Sequence, residues 1–290
     1  MSGGGLTMDY DQEKTYFKGH CIEYDVLDMF QMLVDCALEP RSVLAANVAR
    51  AKNRKSHDLA HYLHHYDPFA DNHENLLRTA YGYSTLGMPH LGLEKNIDNV
   101  DARMIQQFIM DNVTPKKGLI VASGIRNHRE FVDLVKERLG ELLPVPEHLY
   151  ERASSEYIGG EYRNWSETPN TNIVLAFESE KWGSSHVPTL HVMSALIGQA
   201  QSFAPGLGFN RASKMIENNT YVDNCSAINH HFTDSGLFGI NVEGQGSHSE
   251  ELMGTILEEL NSLKHDIGDE ELSRAKNHLK LSILRSMENQ

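Results

Sequence analysis

The feature that most constrains the fold is a pair of extended runs, Tyr221 to Asn229 and Leu237 to Val242, separated by Asp234-Ser235-Gly236. Aspartate, serine and glycine favour a tight reversal, so the two runs read as antiparallel neighbours in a sheet. Such a pair must bury at least one face, and the flanking segments have helical periodicity. Val187 to Ile197 reads as a helix upstream. Downstream, Ser249 to Leu263 places Leu252, Ile256 and Leu260 on one face, and Asp269 is an N-cap for a helix through Leu272, Ala275, Leu279 and Ile283. Thr171 to Phe177 adds a strand in which Ile173, Leu175 and Phe177 alternate with Asn172, Val174 and Ala176. The chain thus alternates helical and extended segments, and its second half mixes strands with helices.

The first half mixes the same periods. Val26, Leu27, Phe30, Leu33 and Val34 form one helical stripe between Ile22 and Leu38. A second helix is expected from Val43 to His65, broken by Pro68 and the polar run Asp71-Asn72-His73. Gly87, Pro89 and Gly92 mark a loop. Val100 to Asn112 reads as a helix with Met104, Ile105, Phe108 and Ile109 on one face, and Leu119-Ile120-Val121-Ala122 as a buried strand. Arg129 to Leu139 follows as an amphipathic helix closed by Gly140. Leu142 to Arg152 contains Pro144 and Pro146 without clear periodicity, which sets a boundary between domains 1–150 and 151–290.

Charge narrows the function classes. With 26 Lys and Arg against 40 Asp and Glu, the net charge of −14 disfavours a nucleic-acid binder and favours cationic partners. No apolar run reaches the roughly 20 residues of a membrane-spanning helix. Cys21, Cys36 and Cys225 form no Cys-x-x-Cys pair, so a disulfide framework or thiolate zinc site is not expected. The beginning of the chain carries neither a signal core nor an Arg-rich presequence.

Chemistry is hard to find. Among the 16 histidines, the run His57-Asp58-Leu59-Ala60-His61-Tyr62-Leu63-His64-His65 places imidazoles one helical turn apart. No Glu lies between Pro40 and His73 to complete a two-His, one-carboxylate site, so this run reads as a solvated or interface face. Neither His-Glu-x-x-His nor His-x-x-Glu-His occurs, nor a Gly-x-Ser-x-Gly elbow, a complete dinucleotide fingerprint or a phosphate-binding loop. No catalytic residue, metal ligand or cofactor is assigned. The local feature that stands out is Gly198-Gln-Ala-Gln-Ser-Phe-Ala-Pro-Gly-Leu-Gly208. Two readings stand: a peptide-gripping or hinge loop, and a long surface connection.

The string from Leu196 through Arg211 resembles the glycine-rich loop of alpha-type mitochondrial processing peptidases. Matching strings run in the same order along nearly the whole chain: Leu86-Gly-x-Pro89, Asn112-x-Thr-Pro115, Val121-Ala-x-Gly124, Tyr157-x-Gly-Gly-Glu161-x-Arg163, Tyr221 to His230, Thr233 to Ile240 and Leu272 to Lys280. The family is that of the inverted-zinc-motif peptidases and the core subunits of the cytochrome bc complex.

The resemblance implies two consecutive processing-peptidase-like α+β domains, 1–150 and 151–290, both incomplete. The first lacks the zinc-motif segment, since Gly3-Gly4 correspond to glycines that follow the motif, and the second lacks its end. The family's distant Glu ligand falls where this sequence has Arg50, Lys52, Arg54 and Lys55, cations that repel Zn²⁺. It further implies substrate contact at Gly198, Ser202, Phe203, Pro205, Gly206 and Gly208, with Gln199 and Gln201 replacing family glycines and stiffening the loop.

The leading expectation is therefore a non-catalytic alpha-type core subunit of complex III, on the matrix side of the mitochondrial inner membrane. It would pair with a beta-type subunit and other complex III subunits, and a separate polypeptide would complete its domains. The alternative is the substrate-recognising half of a working processing peptidase, binding basic presequences while its partner holds zinc. An independent zinc enzyme using His57 to His65 is the third reading.

Overall fold

The computed structural model describes residues 3–38, 47–54, 68–89, 92–113, 117–139, 152–165, 167–203 and 209–288. The chain divides into two units, Met1–Asp67 with Pro89–Ala153, and Pro68–Met88 with Ser154–Asn289. A cut near residue 150 does not anticipate that 68–88 joins the second unit.

The first unit opens with an antiparallel hairpin of β1 (Gly5–Tyr10) and β2 (Thr15–His20), in register from Gly5 opposite His20 to Tyr10 opposite Thr15. Asp11 closes its turn, its carboxylate accepting the amides of Glu13 and Lys14 at 2.7 Å each. α1 (Val26–Leu38) packs on this hairpin through Met29 and Leu33. A Cβ on Gly19 would lie 2.7 Å from the Met29 sulfur, so glycine permits the approach. Residues 47–54 are helical. α2 (Pro68–Tyr81) belongs to the second unit; α3 (Ala102–Asn112) is capped by the Asp101 carboxylate, which accepts the Met104 amide at 2.8 Å. α4 (His128–Leu139) meets α1 where Phe131 stands edge-on to Phe30 with 5.3 Å between centroids.

The expected strand at Leu119 to Ala122 does not form. The run joins no sheet among the described residues, and Leu119 and Val121 are 88% and 82% exposed. Apolar composition permits a buried strand but cannot supply the neighbour that would pair with it.

The second unit holds the sheet expected from the turn at 234–236. Its strands run in the order β3-β6-β5-β4, all antiparallel: β3 (Asn170–Ser179), β4 (Gln199–Gln201), β5 (Val222–His231) and β6 (Gly236–Gln245). α5 (Val187–Ile197), α6 (Arg211–Asn218) and α7 (Ser249–His265) cover one face with Ile197, Met215, Leu252 and Ile256 packed on Cys225, Ile240 and Val242. α8 (Asp269–Glu288) follows and packs against α5.

Pro68 begins a helix, α2 (Pro68–Tyr81), and the polar run Asp71-Asn72-His73 lies inside it; a proline in the first turn sacrifices no intrahelical hydrogen bond. α2 belongs to a second cluster at the turn end of the sheet, where Leu77, Tyr81 and Leu86 bury against Phe232 and Leu237. The Tyr81 hydroxyl lies 2.9 Å from the Ser235 hydroxyl, and the Ala80 carbonyl accepts the Ile158 amide at 2.7 Å. The expected helix end at His65 lies outside the described residues.

Candidate functional site

The glycine-rich segment starts where α5 stops. Gly198 takes φ 73°, donates its amide to the Ser194 carbonyl at 2.8 Å and accepts the Ala227 amide at 3.0 Å. A Cβ there would fall 2.5 Å from the Asn210 amide nitrogen, so conformation and space both call for glycine.

The next residues are not a loop. Gln199 to Gln201 form β4, paired with Asn224 to Ser226, with Ala200 buried and Gln199 exposed. This alternation gives the two glutamines a physical role that glycine fills poorly, since strand interiors lose stability with glycine. The Ser202 amide extends the pairing by donating to the Asp223 carbonyl at 2.7 Å, and Phe203 stands 84% exposed. Pro205, Gly206 and Gly208 lie outside the described residues.

Asn210 ties both ends of the segment. Its side-chain oxygen accepts the Ser213 amide at 2.7 Å, capping α6, while its nitrogen donates to the Gln199 carbonyl at 3.2 Å. Among the described residues β4 is an edge strand, its Gln199 carbonyl held by Asn210 and an exposed aromatic ring beside it.

Next to it, Arg211 is 7% exposed. Its guanidinium reaches Glu271 at 2.8 and 3.1 Å, Glu259 at 3.0 Å, and also the Ser262 hydroxyl and the Asp266 carbonyl. Hydrogen bonding to Glu271 raises the Arg211 pKa, and the same contact holds the Glu271 carboxyl below the ordinary range. Lys214, Asn218 and Gly268 complete a polar depression around this network. Two carboxylates saturate the cation, so the cluster reads as a fastening rather than an anion site.

Sequence reasoning missed a group of histidines in the second unit. Consecutive residues of a strand face opposite sides, and the ends of β5 use this. His230 meets His73 of α2 with 4.6 Å between ring centroids, while His231 meets His191 of α5 at 5.2 Å. Trp182 tilts over the second pair, 5.1 Å from His231 and 6.2 Å from His191. Burial, with His73 and His231 nearby, pushes the His230 pKa down to about 4. Burial, then His231, lowers that of His191. The only signal in the sequence was the doublet His230-His231; its partners are distant in the chain.

The run His57 to His65 lies outside the described residues, as does Lys55. Lys52 donates to the Asp98 carbonyl at 2.7 Å and Arg50 to the Asn47 side chain at 2.6 Å. Among the described residues no three His, Cys, Asp or Glu side chains are grouped to hold a metal ion, and no helix is long and apolar enough to cross a membrane.

Residues 99–279 match the family model described as the peptidase M16 inactive domain. The chain is 26% identical over 299 residues to the alpha subunit of the mitochondrial-processing peptidase of Solanum tuberosum, covering 99% of this chain and 57% of that protein. It is 27% identical over 222 residues to a probable beta subunit of that peptidase from Arabidopsis thaliana, covering 74% and 42%. The chain thus spans about half the length of these curated relatives. Its backbone superimposes with a TM-score of 0.83 and 19% identity on a chain of complex III2 from Candida albicans with Inz-5 bound, covering 98% of this chain and 68% of that one. That likeness shows the fold.

Proposed function

The chain belongs to the peptidase M16 family through its inactive domain, and on that premise we propose that it is a non-catalytic, alpha-type core subunit of complex III. It works on the matrix side of the mitochondrial inner membrane and pairs with a beta-type subunit. The observation that carries the non-catalytic part is Lys52, which stands in the segment where the resemblance expects a zinc-ligating Glu and has its ammonium engaged by the Asp98 carbonyl. An ammonium fixed there opposes a divalent cation. The fold shared with a chain of complex III2 supports the assembly. The exposed run at Leu119 and Val121 supports a neighbouring polypeptide that covers the first unit.

The test is native electrophoresis of detergent-solubilised mitochondria, with mass spectrometry of the band holding this chain. Complex III subunits and a beta-type partner are expected at equal stoichiometry. Migration of the chain apart from them overturns the reading.

A second reading is favoured by Phe203, held exposed beside β4 on an acidic protein. In it Gly198, Ser202, Phe203, Pro205, Gly206 and Gly208 contact basic presequences while the partner subunit performs cleavage. Presequence processing by the assembled complex that disappears on deletion of residues 202–208 supports this reading, and unchanged processing removes it.

A further inference from the structure

We propose that His191 and His231 form a two-histidine site for a divalent transition-metal ion of the Zn²⁺ or Ni²⁺ class. The His231 Nδ1–H donates to the Glu180 carbonyl at 2.7 Å, so its Nε2 carries the lone pair. That Nε2 is buried, on a residue 9% exposed, and has no hydrogen-bond partner. Leaving a buried acceptor unmet costs about 1–3 kcal/mol.

His191 is arranged in the same way. Its Nδ1 lies 3.3 Å from the Asn229 side-chain amide, whose oxygen is buried and unpartnered. Turning that amide over sets the oxygen against Nδ1–H, satisfies it, and leaves the His191 Nε2 free. Each ring then has Nδ1 tied to an oxygen and Nε2 available, the arrangement in which second-sphere groups orient histidine ligands.

Spacing agrees with chemistry. A Zn–N bond of about 2.1 Å, extended through each ring to its centre, separates two imidazole centroids by roughly 5 Å at a tetrahedral angle. The observed separation is 5.2 Å with the rings inclined at 63°. Edge-on packing of the two rings accounts for the contact but leaves the His231 Nε2 unmet. Since no third protein ligand is grouped with them among the described residues, water completes the coordination, and binding is reversible rather than structural. Trp182, 51% exposed, covers the pair and reports on it.

The test uses the full chain carrying Trp165→Phe, which leaves Trp182 as its one tryptophan. Titration with Ni²⁺, a paramagnetic quencher, is expected to give saturable loss of fluorescence, reversed by chelator and displaced by Zn²⁺. His191→Gln and His231→Gln each shift the midpoint at least about tenfold, as does Asn229→Ala. His73→Gln and the pair His57→Gln with His61→Gln leave it in place. If His231→Gln fails to fold, His191→Gln, at a half-buried position of α5, carries the test. Quenching that is absent, or unmoved by both His191→Gln and His231→Gln, overturns the site.

Discussion

The two units use similar amounts of apolar sequence with unequal success. In the second, the antiparallel sheet and its helices enclose Ile197, Val222, Ile240, Leu252 and Ile256 almost entirely. In the first, the buried apolar side chains among the described residues are Met29, Phe30 and Val48, while Met8, Leu27, Phe108, Leu119 and Val121 stay more than half exposed. Burial is worth roughly 25 cal/mol per Å² of apolar surface, so among the described residues the second unit draws far more stabilisation from its apolar side chains than the first. The contrast teaches that a core is closed by paired edges and covered faces, not by apolar content.

The contrast breaks most directly at Arg211. Arg211→Ala strands two partly buried carboxylates and is expected to cost about 2–4 kcal/mol, read as a lowered urea midpoint for protection of β5 and β6 amides in hydrogen exchange. A loss below about 1 kcal/mol would show that the second unit does not depend on its fastening.

Acid probes the same unit from its other face. The folded state holds His230 neutral down to about 4, against 6.5 in the unfolded chain. Stability is therefore complete above pH 6.5 and is lost as pH falls toward 4, by about 3 kcal/mol from this residue. His230→Gln should flatten that part of the profile. If the pH dependence of melting survives the substitution, another group is responsible.

Asn210→Ala removes the cap of α6 and the bond to Gln199, with an expected cost of about 1 kcal/mol by chemical denaturation. The smallest effect belongs to the first unit. Leu119→Ser with Val121→Ser should change the stability of the isolated chain by less than about 0.5 kcal/mol, because neither side chain is buried. The same pair should reduce recovery of the chain with complex III, measured by quantitative mass spectrometry. A large loss of intrinsic stability would mean that the first unit is better enclosed than its exposure indicates.

The second unit was the more legible in sequence. β5, β6, α5, α7 and α8 follow from local periodicity and from the Asp234-Ser235-Gly236 reversal, since each is decided by neighbours in the chain. α2 was misread because a proline marks either the end of one helix or the start of the next, and only the packing of Leu77 and Tyr81 distinguishes them. The β1–β2 hairpin escaped notice because Asp11, not glycine, makes its turn. Leu119 to Ala122 read as a buried strand because composition carries no information about whether a pairing edge is present. In the glycine-rich segment, Gly198 was read as a substrate contact and not as the φ > 0 helix end it is, and β4 was hidden by a family pattern that favours glycine. The histidine pairs were illegible because they depend on packing between α2, α5 and the end of β5.

Arg211 also has a mechanical consequence. It is the first residue of α6, immediately after the glycine-rich segment, and it grips Glu259 and Ser262 of α7, the carbonyl of Asp266 in the bend, and Glu271 at the start of α8. One guanidinium is thus the corner brace of a three-helix elbow. A tensile load on the start of α6 is met by that brace, and the elbow yields or holds as a single joint.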